Sequence, residues 1–189
     1  MHRRLVSSLL LAAVMAASLL GPASAFAAQA DAAQADAAAA STTRAQLART
    51  VLPSTRITLA TFHSSGVVDR ANAHQEIVDT SKGLKARRSC YGTAPCGSVF
   101  LDVAMLRGML ALRNSYTFRV SEIAGGSHSA TSRHYRGTAF DVDILDGQGV
   151  SASNPHFRTF MQRCRALGAI EVLGPGDPDH ATHIHCAWP

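Results

Sequence analysis

The chain has 189 residues, a formal net charge of +5 at pH 7, nine histidines and four cysteines. That length suffices for one domain with its own core, even after loss of a leader. The basic residues are scattered, and Lys85-Ala86-Arg87-Arg88 reads as a solvated loop, so the charge does not mark a nucleic-acid-binding protein.

The chain opens Met1-His2-Arg3-Arg4, runs apolar over residues 5–20, breaks at Gly21-Pro22 and reaches Ala23-Ser24-Ala25. A basic start, a short apolar stretch and an A-x-A site predict a secretory signal over 1–25, cleaved after Ala25. The apolar stretch is short for a spanning helix, which needs about 20 residues, so no stable membrane insertion is expected after cleavage. Losing Arg3 and Arg4 lowers the formal charge from +5 to +3. Mild basicity suits contact with an anionic cell wall. Residues 26–53 are expected to be an Ala-rich linker, because 27–40 have helix propensity but no apolar face to bury. The remaining domain, 54–189, is expected to be a monomer.

Residues 57–62 alternate and predict a strand, ended by His63-Ser64-Ser65-Gly66. A helix is predicted over 69–78, with Ala71, His74, Ile77 and Val78 on one face, and His74 reads as a surface or packing residue. Residues 82–96 are polar and read as loop. The clearest helix covers 99–112, where Val99, Val103, Leu106 and Leu110 form an apolar stripe widened by Met105 and Met109. Residues 116–123 alternate as a half-buried strand, stopped by Gly125-Gly126. Another strand is predicted over 138–144, with a turn at Asp146-Gly147. Asn154-Pro155 predicts the start of a helix over 156–167, with Pro at its first position. A short strand over 169–173, a Gly/Pro loop over 174–178 and a last strand over 182–187 complete the chain. This order predicts an α+β fold, a small, mainly antiparallel sheet with flanking helices.

The cysteines are Cys90, Cys96, Cys164 and Cys186. An even count in an exported chain favours disulfides, and the absence of C-x-x-C spacing argues against thiolate zinc ligands. Three pairings are possible. The turn-forming stretch Tyr91-Gly92-Thr93-Ala94-Pro95 favours Cys90–Cys96, which leaves Cys164–Cys186.

Two clusters carry chemistry. The first is Ser132-Arg133-His134-Tyr135-Arg136-Gly137-Thr138-Ala139-Phe140-Asp141-Val142, the second His180-Ala181-Thr182-His183-Ile184-His185. Fully extended, the seven steps from His134 to Asp141 would span roughly 23 Å. Two ligands of one zinc each lie about 2 Å from it, so the chain must fold back, most easily at Gly137. Asp141 then lies on the next strand, with Phe140 and Val142 facing the other side. His183 and His185 are two apart and share a face of a strand, while Ile184 points into packing. Imidazole and carboxylate are ordinary zinc ligands, and a catalytic site has three protein ligands and one open position. Alternation alone does not decide which of His183 and His185 holds the metal.

Ser132-x-His134-x-x-Gly137-x-Ala139-x-Asp141 resembles the first zinc motif of the D-alanyl-D-alanine metallopeptidases, and His183-x-His185 resembles their second. That group includes lysostaphin-type endopeptidases, murein endopeptidase and the hedgehog signalling domain. The spacing His180-x-x-His183-x-His185 is most similar to the murein endopeptidase branch. The resemblance covers residues 121–188 and implies a hedgehog-like zinc fold. It implies that His134, Asp141 and His185 bind Zn2+, and that His183 hydrogen-bonds the metal-bound water or the developing oxyanion. His180 takes the place of an active-site histidine. The implied reaction is hydrolysis of a peptide bond by zinc-activated water, and the implied substrate is a stem or cross-link peptide of peptidoglycan.

The sequence departs from that pattern twice. Where the dipeptidase branch carries an acid three positions before its last ligand, this chain has Thr182. The base is then His180, His183, Asp177 or Asp179. Where some relatives have a carboxylate-binding arginine, this chain reads Gly125-Gly126-Ser127-His128. Arg133 and Arg136 are the substrate-binding candidates, and carboxypeptidase and endopeptidase action both stay open. His128 is an extra histidine near the site. A non-catalytic, zinc-stabilised cell-wall-binding domain is the competing expectation.

Overall fold

A computed structural model describes residues 43–189 continuously, together with the isolated positions Phe26, Gln29 and Gln34. The expected export signal lies outside the described residues. Residues 43–51 form a helix, α1, whose Ala45, Ala48 and Val51 are buried. The packed domain therefore begins before the expected boundary at residue 54, and 43–51 are not linker.

The element order is β1 (Ile57–Leu59), α2 (Ala73–Ser81), β2 (Ala86–Arg87), β3 (Ser98–Val99), α3 (Val103–Leu112), β4 (Phe118–Glu122) and a 3-10 turn (Arg133–Arg136). There follow β5 (Ala139–Leu145), β6 (Gln148–Gly149), α4 (Phe157–Ala166), β7 (Glu171–Leu173) and β8 (Ile184–Ala187). The fold is α+β. Its main sheet has six strands in the order β1-β4-β5-β8-β7, with β6 on β5, and β2 and β3 form a separate pair. All pairs are antiparallel except β1 with β4, so the sheet is mixed, mostly antiparallel and flanked by helices.

Local chemistry sets the element ends. Asp102 caps α3 by accepting from the Met105 N–H, so the helix starts four residues later than the apolar stripe predicts, and Ser98–Val99 pairs with Ala86–Arg87 instead. Asn72 caps α2 by accepting from the Gln75 N–H, which moves that helix from the predicted 69–78 to Ala73–Ser81. Pro155 stays outside α4; Asn154 accepts from the His156 N–H just ahead of it.

One face of the sheet carries the core. Phe118 and Phe140 stack at 6.5 Å, Phe140 stacks on Trp188 at 5.6 Å, and Phe160 of α4 meets Phe118 edge-on at 5.4 Å. Gly108 of α3 lies so close to Trp188 that an added Cβ would meet its ring at 2.3 Å. Both expected disulfides form, Cys90–Cys96 and Cys164–Cys186, the second joining α4 to β8. Among the described residues no helix is long and apolar enough to cross a membrane.

The opposite alternation phase of β5 faces a cavity of about 1010 Å³ that Asp141 and Asp143 help to line. The β4–β5 register shifts between Val120 and Glu122, so Ser121 and Glu122 both reach that cavity although they are neighbours.

Candidate metal centre

The two sequence clusters meet on the cavity side of β5 and β8. His134 rides on the 3-10 turn, which Ser132 caps through the His134 N–H. Gly137 ends the turn with φ +72°, and a Cβ there would lie 2.6 Å from the Phe100 carbonyl oxygen. A glycine is needed at this position both for its backbone conformation and for space. The chain then enters β5, where Asp141 pairs opposite His185 of β8.

Three donor atoms converge there. His134 Nε2 lies 3.1 Å from Asp141 Oδ1 and 3.0 Å from His185 Nδ1, and His185 Nδ1 lies 2.9 Å from Asp141 Oδ1. All three side chains are buried. The opposite ring nitrogens are also held: His134 Nδ1 donates to the Ile123 carbonyl at 2.5 Å, and His185 Nε2 donates to Glu171 Oε1 at 3.1 Å. With the outer nitrogens donating, a neutral ring presents its inward nitrogen as a lone pair, and a protonated ring donates there to Asp141.

Burial opposes charge on both His134 and Asp141, yet each is stabilised in its charged form by the other. Burial pushes His134 down, but the Asp141 charge and hydrogen bond raise it overall. Burial pushes Asp141 up, but His134 and His185 bring its carboxyl well below the usual range. With no metal, a proton is the cation this cluster attracts.

The backbone behind His134 is clamped. Glu76 of α2 is fully buried and accepts the Ala124 N–H at 3.1 and 3.2 Å. Burial pushes the Glu76 carboxyl well above its ordinary range. This clamp fixes the segment whose Ile123 carbonyl orients His134.

His128 joins the group. The donor atoms of His128, His134 and Asp141 lie within 4.8 Å of one another, a spacing one metal ion could bridge. His128 stacks on His134, with ring centroids 3.9 Å apart and planes 12° apart, and Nε2 donates to the Gly125 carbonyl at 3.0 Å. Burial first, then the charge on His134, pushes His128 down to about 3, so it stays neutral. His185 meets the His134 ring at 64°, with centroids 4.8 Å apart. Beside His134 and Asp141, both His128 and His185 thus stand within reach of one ion.

The other expected residues divide. His180 and His183 both line the cavity, with ring centroids 4.6 Å apart, and His180 Nδ1 donates to the Pro178 carbonyl at 2.5 Å. Burial lowers His183 from its ordinary value. Asp179 and Thr182 line the cavity, while Asp177 turns to accept the Gly174 N–H at 2.9 Å. Of the two loop acids, only Asp179 is among the residues lining the cavity. Arg136 is exposed at the cavity wall, and Arg133 pairs with Glu171 at 3.4 Å. His74 is exposed and away from the site.

Sequence reasoning missed Glu171 and a second buried network. His63 is buried between Glu122, 2.7 Å from Nδ1, and Asp69, 2.8 Å from Nε2. Ser89 Oγ lies 3.4 Å from the same Nε2. The Ser-His-Asp grouping is not a nucleophile triad, because Ser89 is buried and the doubly paired His63 has no lone pair to offer as a base. Comparison of the chain with family models, curated proteins and solved structures finds no match.

Proposed function

We propose that this protein is an exported zinc-dependent peptidase of the D-alanyl-D-alanine metallopeptidase type, hydrolysing stem or cross-link peptides of peptidoglycan. The observation that carries the reading is the convergence of two imidazole nitrogens and one carboxylate oxygen, all able to ligate a metal, within about one tetrahedral edge of one another. His134 Nε2, His185 Nδ1 and Asp141 Oδ1 face one another at 2.9–3.1 Å, while each imidazole gives its N–H to an outer partner. With both rings neutral and their N–H groups turned outward, these three atoms all present lone pairs, and a metal ion can take the place of the proton that would otherwise bridge them. Two imidazoles and one carboxylate form an ordinary catalytic zinc set with a fourth position open. Their separations fit the roughly 3.3 Å expected between tetrahedral ligands about 2 Å from one zinc ion. Zinc held there would supply Lewis acidity toward a peptide carbonyl and lower the pKa of a water toward about 7.

The surrounding residues suit the rest of the reaction. His180 has Nδ1 committed to Pro178, which leaves Nε2 as a basic nitrogen facing the cavity it lines. It is a candidate base, as are His183 and Asp179, which line the same cavity. His183 stands beside it and can hydrogen-bond an oxygen of the reacting group. Arg133 and Arg136 offer positive charge to the carboxylates of a stem peptide. The disulfides agree with an oxidising, extracytoplasmic location.

One observation favours a non-catalytic zinc-stabilised wall-binding domain: the exposed Thr182 stands where dipeptidase relatives carry their acid. Incubating the zinc-loaded protein with purified peptidoglycan, followed by mass spectrometry of the soluble fragments, separates the two. Release of peptides or D-alanine that stops with a chelator supports the peptidase and names the cleaved bond. Stoichiometric zinc with wall binding and no release would leave the binding domain.

A further inference from the structure

Glu171 joins the two segments that bring the histidine ligands together. Its Oε1 accepts from His185 Nε2 on β8 at 3.1 Å, and its Oε2 accepts from Arg133 Nε at 3.4 Å. Arg133 is the first residue of the 3-10 turn, directly before His134, and its own carbonyl accepts from the Thr138 N–H that closes the turn. One carboxylate thus spans from the His185 strand to the His134 turn.

The ring geometry defines what Glu171 can do. His185 uses opposite edges of its imidazole: Nδ1 faces Asp141 and His134, and Nε2 faces Glu171. Glu171 therefore lies across the ring from the donor cluster and acts through His185. A carboxylate on the outer nitrogen holds a ligating imidazole in one tautomer and orientation and raises its basicity.

We infer that Glu171, anchored by Arg133, is a positioning residue that sets the metal affinity of this centre by holding His185 and the His134 turn in register. The inference rests on the metal-site reading above. The alternative is a merely structural surface ion pair, since the Glu171 and Arg133 side chains are 41% and 26% exposed and solvent screens their attraction. That alternative leaves metal affinity untouched.

The test is zinc affinity of the purified protein by competition with a chromophoric chelator, with the visible spectrum of the cobalt(II)-loaded form as a second readout. Glu171→Ala should weaken zinc binding about 10–100-fold and shift the cobalt bands, because outer partners of ligating histidines have effects of this size. Glu171→Gln keeps an acceptor oxygen but no charge and should restore part of that loss. Arg133→Ala should weaken binding less than Glu171→Ala does. Thermal unfolding of all three metal-free variants should stay close to the parent. Zinc affinity and cobalt bands of Glu171→Ala matching the parent would overturn this inference alone. A parent protein that binds no zinc would overturn the metal-site reading with it.

Discussion

The His63 network makes the fold sensitive to alkali, and the size of the effect can be worked from the structure. A neutral imidazole has one N–H, but His63 presents Nδ1 to Glu122 at 2.7 Å and Nε2 to Asp69 at 2.8 Å. Only the imidazolium serves both carboxylates. The Glu122 hydrogen bond raises His63 most, burial opposes it, and Asp69 adds to the rise, bringing it from 6.5 to about 9. At about 1.4 kcal/mol per pH unit, this corresponds to about 3 kcal/mol of folding stability. Because the folded value is raised, that stability is fully present below about pH 6.5 and is lost as pH rises through about 9. Asp69 behaves in the opposite sense: burial opposes its ionisation, but His63 holds it low, so its contribution fades only in acid.

The measurement is urea unfolding of the parent and of His63→Gln at pH values from about 6 to about 9.5. The parent should lose stability across this range, and His63→Gln should start lower and stay comparatively flat. Groups remote from His63 titrate alike in both proteins and cancel in the difference, while Tyr91, whose ring lies 5.8 Å from His63, is pushed above its ordinary value by burial and stays protonated across this range. If the two curves run parallel, His63 is not the titrating group and the doubly paired imidazolium is wrong. The cavity should register the same change, because Glu122 also accepts the Ser64 N–H at 3.2 Å and both residues line it.

Three further outcomes are expected. His185→Ala should lose most of its zinc, whereas His183→Ala should keep near-stoichiometric zinc and lose roughly 10²-fold or more in turnover; metal analysis and peptidoglycan hydrolysis of both variants check this. Replacing Cys164 and Cys186 by Ser should cost about 2–5 kcal/mol by urea titration and weaken zinc binding, because Cys186 adjoins His185 on β8. Gly125→Ala should destabilise the fold and the site together, because its Cβ would lie 1.8 Å from the Ala71 carbonyl oxygen. Circular dichroism melting and zinc titration should fall in parallel, since Gly125 follows the Ile123-Ala124 segment that orients His134.

Elements with strong local signals were legible. The alternation of β5, with Phe140 and Val142 in the core and Asp141 facing the cavity, needs only the two-residue period of a strand. The apolar stripe placed α3, but it carried the start back to Val99, because a stripe does not show where capping begins; Asp102 does. The helix at 43–51 was missed for a different reason. It buries two alanines and one valine, and alanine reads equally well as linker or as a close-packed contact. The parallel pairing of β1 with β4 had no signal, since the strands are about sixty residues apart and pairing direction is a tertiary choice.

The same division holds in the site. His134, Gly137, Asp141 and His185 stand at spacings that imply a turn and a shared strand face, so their convergence could be read without a fold. Glu171 could not. Its strand was expected, but only the β7–β8 register, Glu171 opposite Ala187 and Leu173 opposite His185, brings it against His185. His63 and Glu122 are equally remote in sequence, and Glu122 reaches the cavity side only because the β4–β5 register slips after Val120. The proposed ligands follow local periodicity, while the groups that would orient them follow strand order and register. An inner shell without its outer shell was therefore what this sequence allowed to be read, and Glu171 is where the missing half can be tested.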